Sequence, residues 1–201
     1  MNTYTNSTPT TAGMAPSMAA GAVGATGVTI PPEVAREHFL DWLRDAHAME
    51  EQAETMMSTL SARLEHYPAL KQRIDLHIEE TREQARMLET CLARYDTDNS
   101  TMKDMTGKMM ASVHGMASMF ASDEVIKGGL MSYAFEHFEI ATYNTLIAGA
   151  RALGDQESLQ VFETILLQER AMADWLAEHL PETTMSYLLI AANDSTAAAK
   201  R

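Results

Sequence analysis

The sequence predicts an all-α protein, an antiparallel four-helix bundle in which a long crossover joins two helical hairpins. Three features support this fold class. Apolar residues recur at alternating steps of three and four, prolines and a glycine stand at predicted helix ends, and a polar, Met-rich segment separates two hairpin-like halves. A chain of 201 residues is long enough for one such domain with tails.

Composition divides the chain into three parts. Residues 1–30 contain no charged residue and no histidine, so we expect a disordered low-complexity tail. Composition changes abruptly at Pro31-Pro32, where a helix can begin with proline in its first turn. Residues 31–180 are therefore predicted to form the bundle, and residues 181–201 a C-terminal tail that is partly docked on it.

The first predicted hairpin has a seam of regularly spaced inward positions. On helix 1 they are Phe39, Leu43, Ala46, Glu50, Ala53, Met57, Leu60 and Leu64. Pro68 interrupts the pattern, and on helix 2 they are Leu70, Ile74, His77, Thr81, Gln84, Leu88, Cys91 and Tyr95. The middle of the second seam is polar, whereas its ends are apolar.

The second hairpin follows a crossover. Its first helix should begin near Ser122-Asp123-Glu124 and stop before Gly154, and its second should meet Pro181. Between the hairpins, a short Met-rich helix is predicted from the spacing of Met102, Met105, Met109, Val113, Met116 and Phe120. One long crossover of this kind is typical of ferritin-like bundles rather than simple up-down-up-down bundles.

Carboxylates interrupt the apolar seams near their midpoints. Glu50, Glu139 and Glu169 occupy inward positions, where an unpaired charge costs several kcal/mol. Counted from the two hairpin turns at about 1.5 Å of rise per residue, these glutamates lie near one level. His77 and Glu80 share a face of helix 2 at that level, and Glu136, one turn before Glu139, adds another oxygen.

These six residues predict a dinuclear metal site. Carboxylates and an imidazole suit two iron ions or, as the second choice, manganese; imidazole is a poor ligand for magnesium and calcium. A buried polar network without metal remains the alternative, and for His77 alone a core histidine paired with a glutamate. Tyr143, one turn after Glu139, is a candidate to hydrogen-bond a metal-bridging glutamate.

Other candidates have simpler interpretations. His47 lies beside the seam and His137 off the inward face. The Met-rich stretch is more typical of adaptable apolar packing than of copper binding, and the single cysteine, Cys91, is expected to be inert.

Four strings carry a resemblance to a known family. They are Asp45-Ala-His-Ala-Met-Glu50-Glu-Gln52, His77-Ile-Glu-Glu80-Thr81 with Gln84, Glu136-His-Phe-Glu139-Ile-Ala-Thr-Tyr143, and Leu166-Leu-Gln-Glu169. In this order and spacing the chain resembles the YciF/YciE-type ferritin-like family of bacterial stress proteins over about residues 35 to 180. The resemblance implies a dinuclear site like that of rubrerythrin and ferritin, a homodimer and a role in stress response. The Glu-x-x-His pattern of the wider ferritin-like group is missing, because Glu83 and Met172 stand where histidines are expected.

Charge and composition limit the function. A formal net charge of −13 excludes a general nucleic-acid binder. No stretch is apolar enough for a membrane span, no basic signal segment begins the chain, and cysteine usage fits a cytoplasmic location. Two hypotheses remain: a di-iron or di-manganese oxidoreductase acting on peroxide or oxygen with Fe(II) oxidation (ferroxidase-, peroxidase- or catalase-like), or a non-enzymatic stress-response interaction bundle with structural or no metal.

Overall fold

The computed structural model describes residues 30–95 and 123–193. These residues form four helices: α1 (Pro32–Ser61), α2 (Pro68–Ala93), α3 (Glu124–Leu153) and α4 (Gln156–Asn193). Neither described range contains a strand, so the predicted all-α four-helix fold is confirmed. The predicted N-terminal tail and the Met-rich crossover helix lie outside the described residues.

Helix ends follow local chemistry. α1 and α2 each begin with a proline, whose missing N–H costs nothing in a first turn. α3 ends at Gly154, whose φ of 70° is a left-handed conformation that glycine adopts without strain. Asp155 then caps α4, because its carboxylate accepts a hydrogen bond from the backbone N–H of Ser158 at 3.0 Å.

The C-terminal helix is longer than predicted. α4 does not end at Pro181 but continues through it to Asn193. A proline inside a helix costs about 3 kcal/mol, yet packing beyond it offsets that cost: Thr183 is buried, and Tyr187 and Ile190 pack against the core. The expectation that the helix stops at Pro181 is therefore wrong, because tertiary contacts outweigh the local signal.

Adjacent helices run in opposite directions. The end of α1 meets the start of α3 through the ion pair of Arg63 and Glu124 at 2.6 Å. The end of α2 meets the start of α4 through Arg94 and Asp155 at 3.0 Å. Since each hairpin is also antiparallel, α1 and α4 point one way and α2 and α3 the other. The end of α2 and the start of α3 therefore lie at opposite ends of the bundle, as in bundles with one long crossover.

The core consists of two apolar clusters with a polar layer between them. One cluster surrounds Phe39, Leu88, Leu146 and Phe162 near the α3–α4 turn. The other surrounds Met57, Ile74, Val125 and Leu176 near the α1–α2 turn. The inward glutamates and His77 lie between the clusters, which hold the helices on both sides of them.

No helix in the described ranges combines the length and apolar character needed to cross a membrane.

Candidate metal centre

Four buried side chains from three helices converge in the polar layer. One ligand atom from each lies within 4.8 Å of the others; the residues are His77, Glu136, Glu139 and Glu169. Inward periodicity on α2, α3 and α4 places them there. The structure thus brings together four of the six residues predicted to bind metal.

His77 is held between the layer and the bundle surface. Its Nδ1–H donates to Glu80 Oε2 at 2.7 Å, whereas Nε2 lies 3.2 Å from Glu136 Oε2 and 3.3 Å from Glu169 Oε2. Burial alone would lower the pKa of His77, but hydrogen bonds to these carboxylates raise it well above its usual value. A metal ion at this point would replace the proton on Nε2, because Nδ1 is already engaged.

Glu80 lies on the outer side of His77. Its Oε2 also accepts a hydrogen bond from Arg73 Nη1 at 3.1 Å, and its side chain is 34% exposed. The hydrogen bond from His77, together with Arg73, lowers the pKa of this carboxyl. The geometry gives Glu80 the role of orienting the imidazole; direct ligation by Glu80 stays a prediction.

Glu50 and Tyr143 lie on the opposite side of the layer. The Tyr143 hydroxyl donates to Glu50 Oε1, whereas Glu50 Oε2 has no hydrogen-bond partner in the described part of the chain. Burial and the charge of Glu169 raise the pKa of Glu50 well above its usual value. Glu50 is outside the group of four but close enough to interact electrostatically with its members.

Charge is unbalanced in this layer. Burial and neighbouring glutamates raise the pKa of Glu139 well above its usual value, and burial raises that of Glu136 to about 7 despite the hydrogen bond to His77. Like Glu50 Oε2, Glu139 Oε1 lacks a hydrogen-bond donor within the described residues, and Glu169 Oε2 faces His77 Nε2 at 3.3 Å. Buried carboxylates without partners are the donor set that hard and borderline divalent cations require, so these residues fit a metal.

Other predicted candidates lie away from the layer. His47 is a buried residue of α1 whose Nδ1 lies 3.9 Å from Glu51 Oε2, and His137 is exposed and its ring contacts that of Tyr133. Cys91 is buried in the apolar cluster near the α3–α4 turn, and burial raises the pKa of its thiol.

Sequence reasoning missed two supporting residues. Gln84 Nε2 donates to Glu169 Oε1, and Arg73 holds Glu80. Gln84 could have been found from the sequence, since it interrupts the apolar seam of α2. Arg73 could not, because an arginine beside an apolar seam is common.

Three solved structures are similar to this chain. A protein from Xanthomonas campestris pv. campestris is 41% identical, with a TM-score of 0.64, over 77% of this chain and 96% of that one. The Escherichia coli stress protein YciF is 22% identical, with a TM-score of 0.61, over 73% and 94% of the two chains. YcfI of Rhodopseudomonas palustris is 24% identical, with a TM-score of 0.59, over 71% and 92%. The latter two support the fold alone.

The family match extends over most of the described bundle. Residues 34–189 match the family described as Domain of unknown function (DUF892). The match covers α2 and α3 in full, all but the outer ends of α1 and α4, and every residue of the polar layer. YciF among the structural neighbours agrees with the resemblance found in the sequence. This chain belongs to the DUF892 family, the YciF type of four-helix bundle.

Proposed function

We propose that the protein is a stress-related, ferritin-like non-haem metalloprotein that holds two iron or manganese ions in its polar layer. The proposal rests on the number of acidic groups buried in this layer. Glu50, Glu136, Glu139 and Glu169 are four buried carboxylates, and Glu80 is separately paired with Arg73. Two divalent cations balance four carboxylates when His77 binds as a neutral imidazole.

The proposed activity is oxidation of Fe(II) by peroxide or oxygen. Two bound Fe(II) ions would supply one electron each, so that one hydrogen peroxide would take up two electrons and two protons and leave as two waters. The protein's part is positional. Glu80 fixes the imidazole, Gln84 and Tyr143 hold one oxygen of Glu169 and of Glu50, and the flanking apolar clusters limit water.

Metal content tests the site. Full-length protein purified without chelator or histidine tag is loaded anaerobically with Fe(II) or Mn(II), and bound metal is measured by elemental analysis. We expect about two ions per chain, the number that balances four carboxylates, and loss of both in Glu169→Gln. The exposed Glu163→Gln on the same helix is the matched control. Less than a tenth of an equivalent in wild type overturns the metal site, and one ion per chain overturns the dinuclear form.

Turnover is a separate test. Fe(II)-loaded protein is mixed with hydrogen peroxide or dioxygen and followed by ferric absorption. Two Fe(II) oxidised per peroxide supports the oxidoreductase proposal, whereas oxidation no faster than that of free Fe(II) leaves a structural metal. The cytoplasmic location belongs to the same proposal and rests on the single cysteine of the sequence.

A second candidate function, an interaction bundle, is favoured by one surface. Met185, Leu188 and Leu189 lie on one side of the end of α4 and are each more than half exposed. We propose a second copy of this chain as the partner, in a homodimer. Light scattering of wild type and Leu188→Glu tests it, because a dimer through this surface becomes a monomer in the variant.

A further inference from the structure

One threonine in the polar layer differs from most other threonines of the described helices. Seven of them donate their hydroxyl to the carbonyl four residues earlier; they are Thr55, Thr59, Thr90, Thr142, Thr145, Thr164 and Thr184. Thr81 is only 1% exposed, yet its hydroxyl has no partner among the described residues. Such a group costs about 1–3 kcal/mol, which a bound molecule that hydrogen-bonds to it would recover.

Gln84, one turn later, has a second unpaired atom. Its Nε2 donates to Glu169 Oε1 and, at 3.1 Å, to Gln168 Oε1. Because only the NH₂ group can donate to a carboxylate, the orientation of the amide is fixed. Gln84 Oε1 is therefore left without a donor, although the side chain is fully buried.

Both residues belong to the helix face that carries His77. Thr81 and Gln84 follow His77 on the inward face of α2, four and seven residues on. The hydrogen bond from Gln84 to Glu169 places its amide beside a proposed metal ligand. Glu50 Oε2 and Glu139 Oε1 are further acceptors of this layer without a donor among the described residues.

The polarity of these atoms selects the ligand. Gln84 Oε1 can only accept, so a neutral molecule beside it has to carry a hydrogen-bond donor, and the Thr81 hydroxyl can donate to an oxygen of the same molecule. Of the two oxidants of the proposed activity, hydrogen peroxide meets both requirements. Dioxygen has no proton to donate and would leave the amide oxygen buried and unpaired, which favours the ligand that has one.

We propose that Thr81 and Gln84 form the binding site for hydrogen peroxide beside the metal pair and make the protein select peroxide over dioxygen. This inference rests on the proposed metal site and names its substrate. Thr81 donates to one peroxide oxygen, and Gln84 accepts from the O–H of the other.

The first test needs no metal. Thr81→Val keeps the shape and removes the hydroxyl, whereas Thr81→Ser keeps the hydroxyl. Because the hydroxyl has no protein partner, we expect the Tm of metal-free Thr81→Val to equal or exceed that of wild type. A fall of more than about 5 °C, the effect of losing a buried hydrogen bond, would overturn the proposal. Thr164→Val, at an exposed position on α4, is the matched control.

The second test uses Fe(II)-loaded protein of verified metal content. In Thr81→Val we expect the peroxide concentration for half-maximal oxidation rate to rise about tenfold, as for the loss of one good hydrogen bond. The limiting rate and the rate with dioxygen should change less than twofold, and Thr81→Ser should restore the peroxide dependence. Equal peroxide dependence in Thr81→Val and wild type overturns this inference alone; wild type that binds no metal overturns the proposed function as well.

Discussion

Replacing Glu139 by glutamine should have opposite effects on the metal-free and metal-loaded protein. Glu139 is 1% exposed, its Oε1 has no donor within the described residues, and Glu50, Glu169 and Glu136 surround it. In the metal-free protein at pH 8, the Glu139 carboxyl is therefore either an anion buried among like charges or protonated at a pH well above its usual pKa. Both states cost free energy that a neutral amide of the same shape avoids.

The stability gained by the metal-free variant and the stabilisation by metal that it loses are similar in size. Removing a buried, unpaired charged group should raise the free energy of unfolding of the metal-free protein by about 1–3 kcal/mol, which is about 3–9 °C in Tm for a domain of this size. Metal at a hundred times its dissociation constant should stabilise wild type by about 2.7 kcal/mol, or about 8 °C. Glu139→Gln should lack this stabilisation by metal.

Calorimetry of chelated and Mn(II)-loaded protein at pH 8 measures both effects. The matched control is Glu163→Gln, an exposed glutamate of α4 that pairs only with Arg151 at 2.9 Å among the described contacts. If metal-free Glu139→Gln melts several degrees below wild type, Glu139 makes a stabilising contact and the argument from unpaired charge is refuted. If Mn(II) stabilises the variant as it does wild type, Glu139 is not a ligand.

Three further predictions concern the surroundings of the site and the helix ends. Glu80→Gln should weaken metal binding about 10–100-fold, because His77 is then held less firmly. Titration calorimetry measures the affinity, and a value within twofold of wild type would contradict the orienting role. Metal-free protein should lose stability as pH rises through about 7. The folded-state pKa values of Glu136 and His77 are raised above their unfolded values, so both groups bind protons more tightly in the folded state. A Tm that rises from pH 6 to 8 would show the opposite linkage. Asp155→Ala should cost about 2–4 kcal/mol near neutral pH. Burial raises the Asp155 pKa, but hydrogen bonds from Ser158 and Tyr95 outweigh it and lower the pKa. The contribution of the ionised group is therefore present above the unfolded pKa near 3.9 and lost as pH falls through the folded value, so urea unfolding should show a larger loss at pH 7 than at pH 3.

Local signals in the sequence located most helix ends and the layer of charged residues. Pro32, Pro68 and Gly154 act through their own backbone restrictions, so their effect does not depend on distant contacts. Glu50, Glu139 and Glu169 could be placed in the core because helical periodicity fixes which face a residue occupies. Their common level followed from two antiparallel hairpins joined by short turns.

Tertiary structure decided the remaining features. A residue three positions from an inward one, such as Glu80 after His77, can face the centre or the edge of a bundle, and only the neighbouring helices and Arg73 place it at the edge. The continuation of α4 beyond Pro181 depends on core contacts of Tyr187 and Ile190. The sequence by itself therefore determined which residues are buried and charged, because periodicity and helix ends are local. Which atoms remain unpaired in the layer, Thr81 Oγ1 and Gln84 Oε1 among them, was decided by packing, because hydrogen bonding depends on distances between helices far apart in the chain.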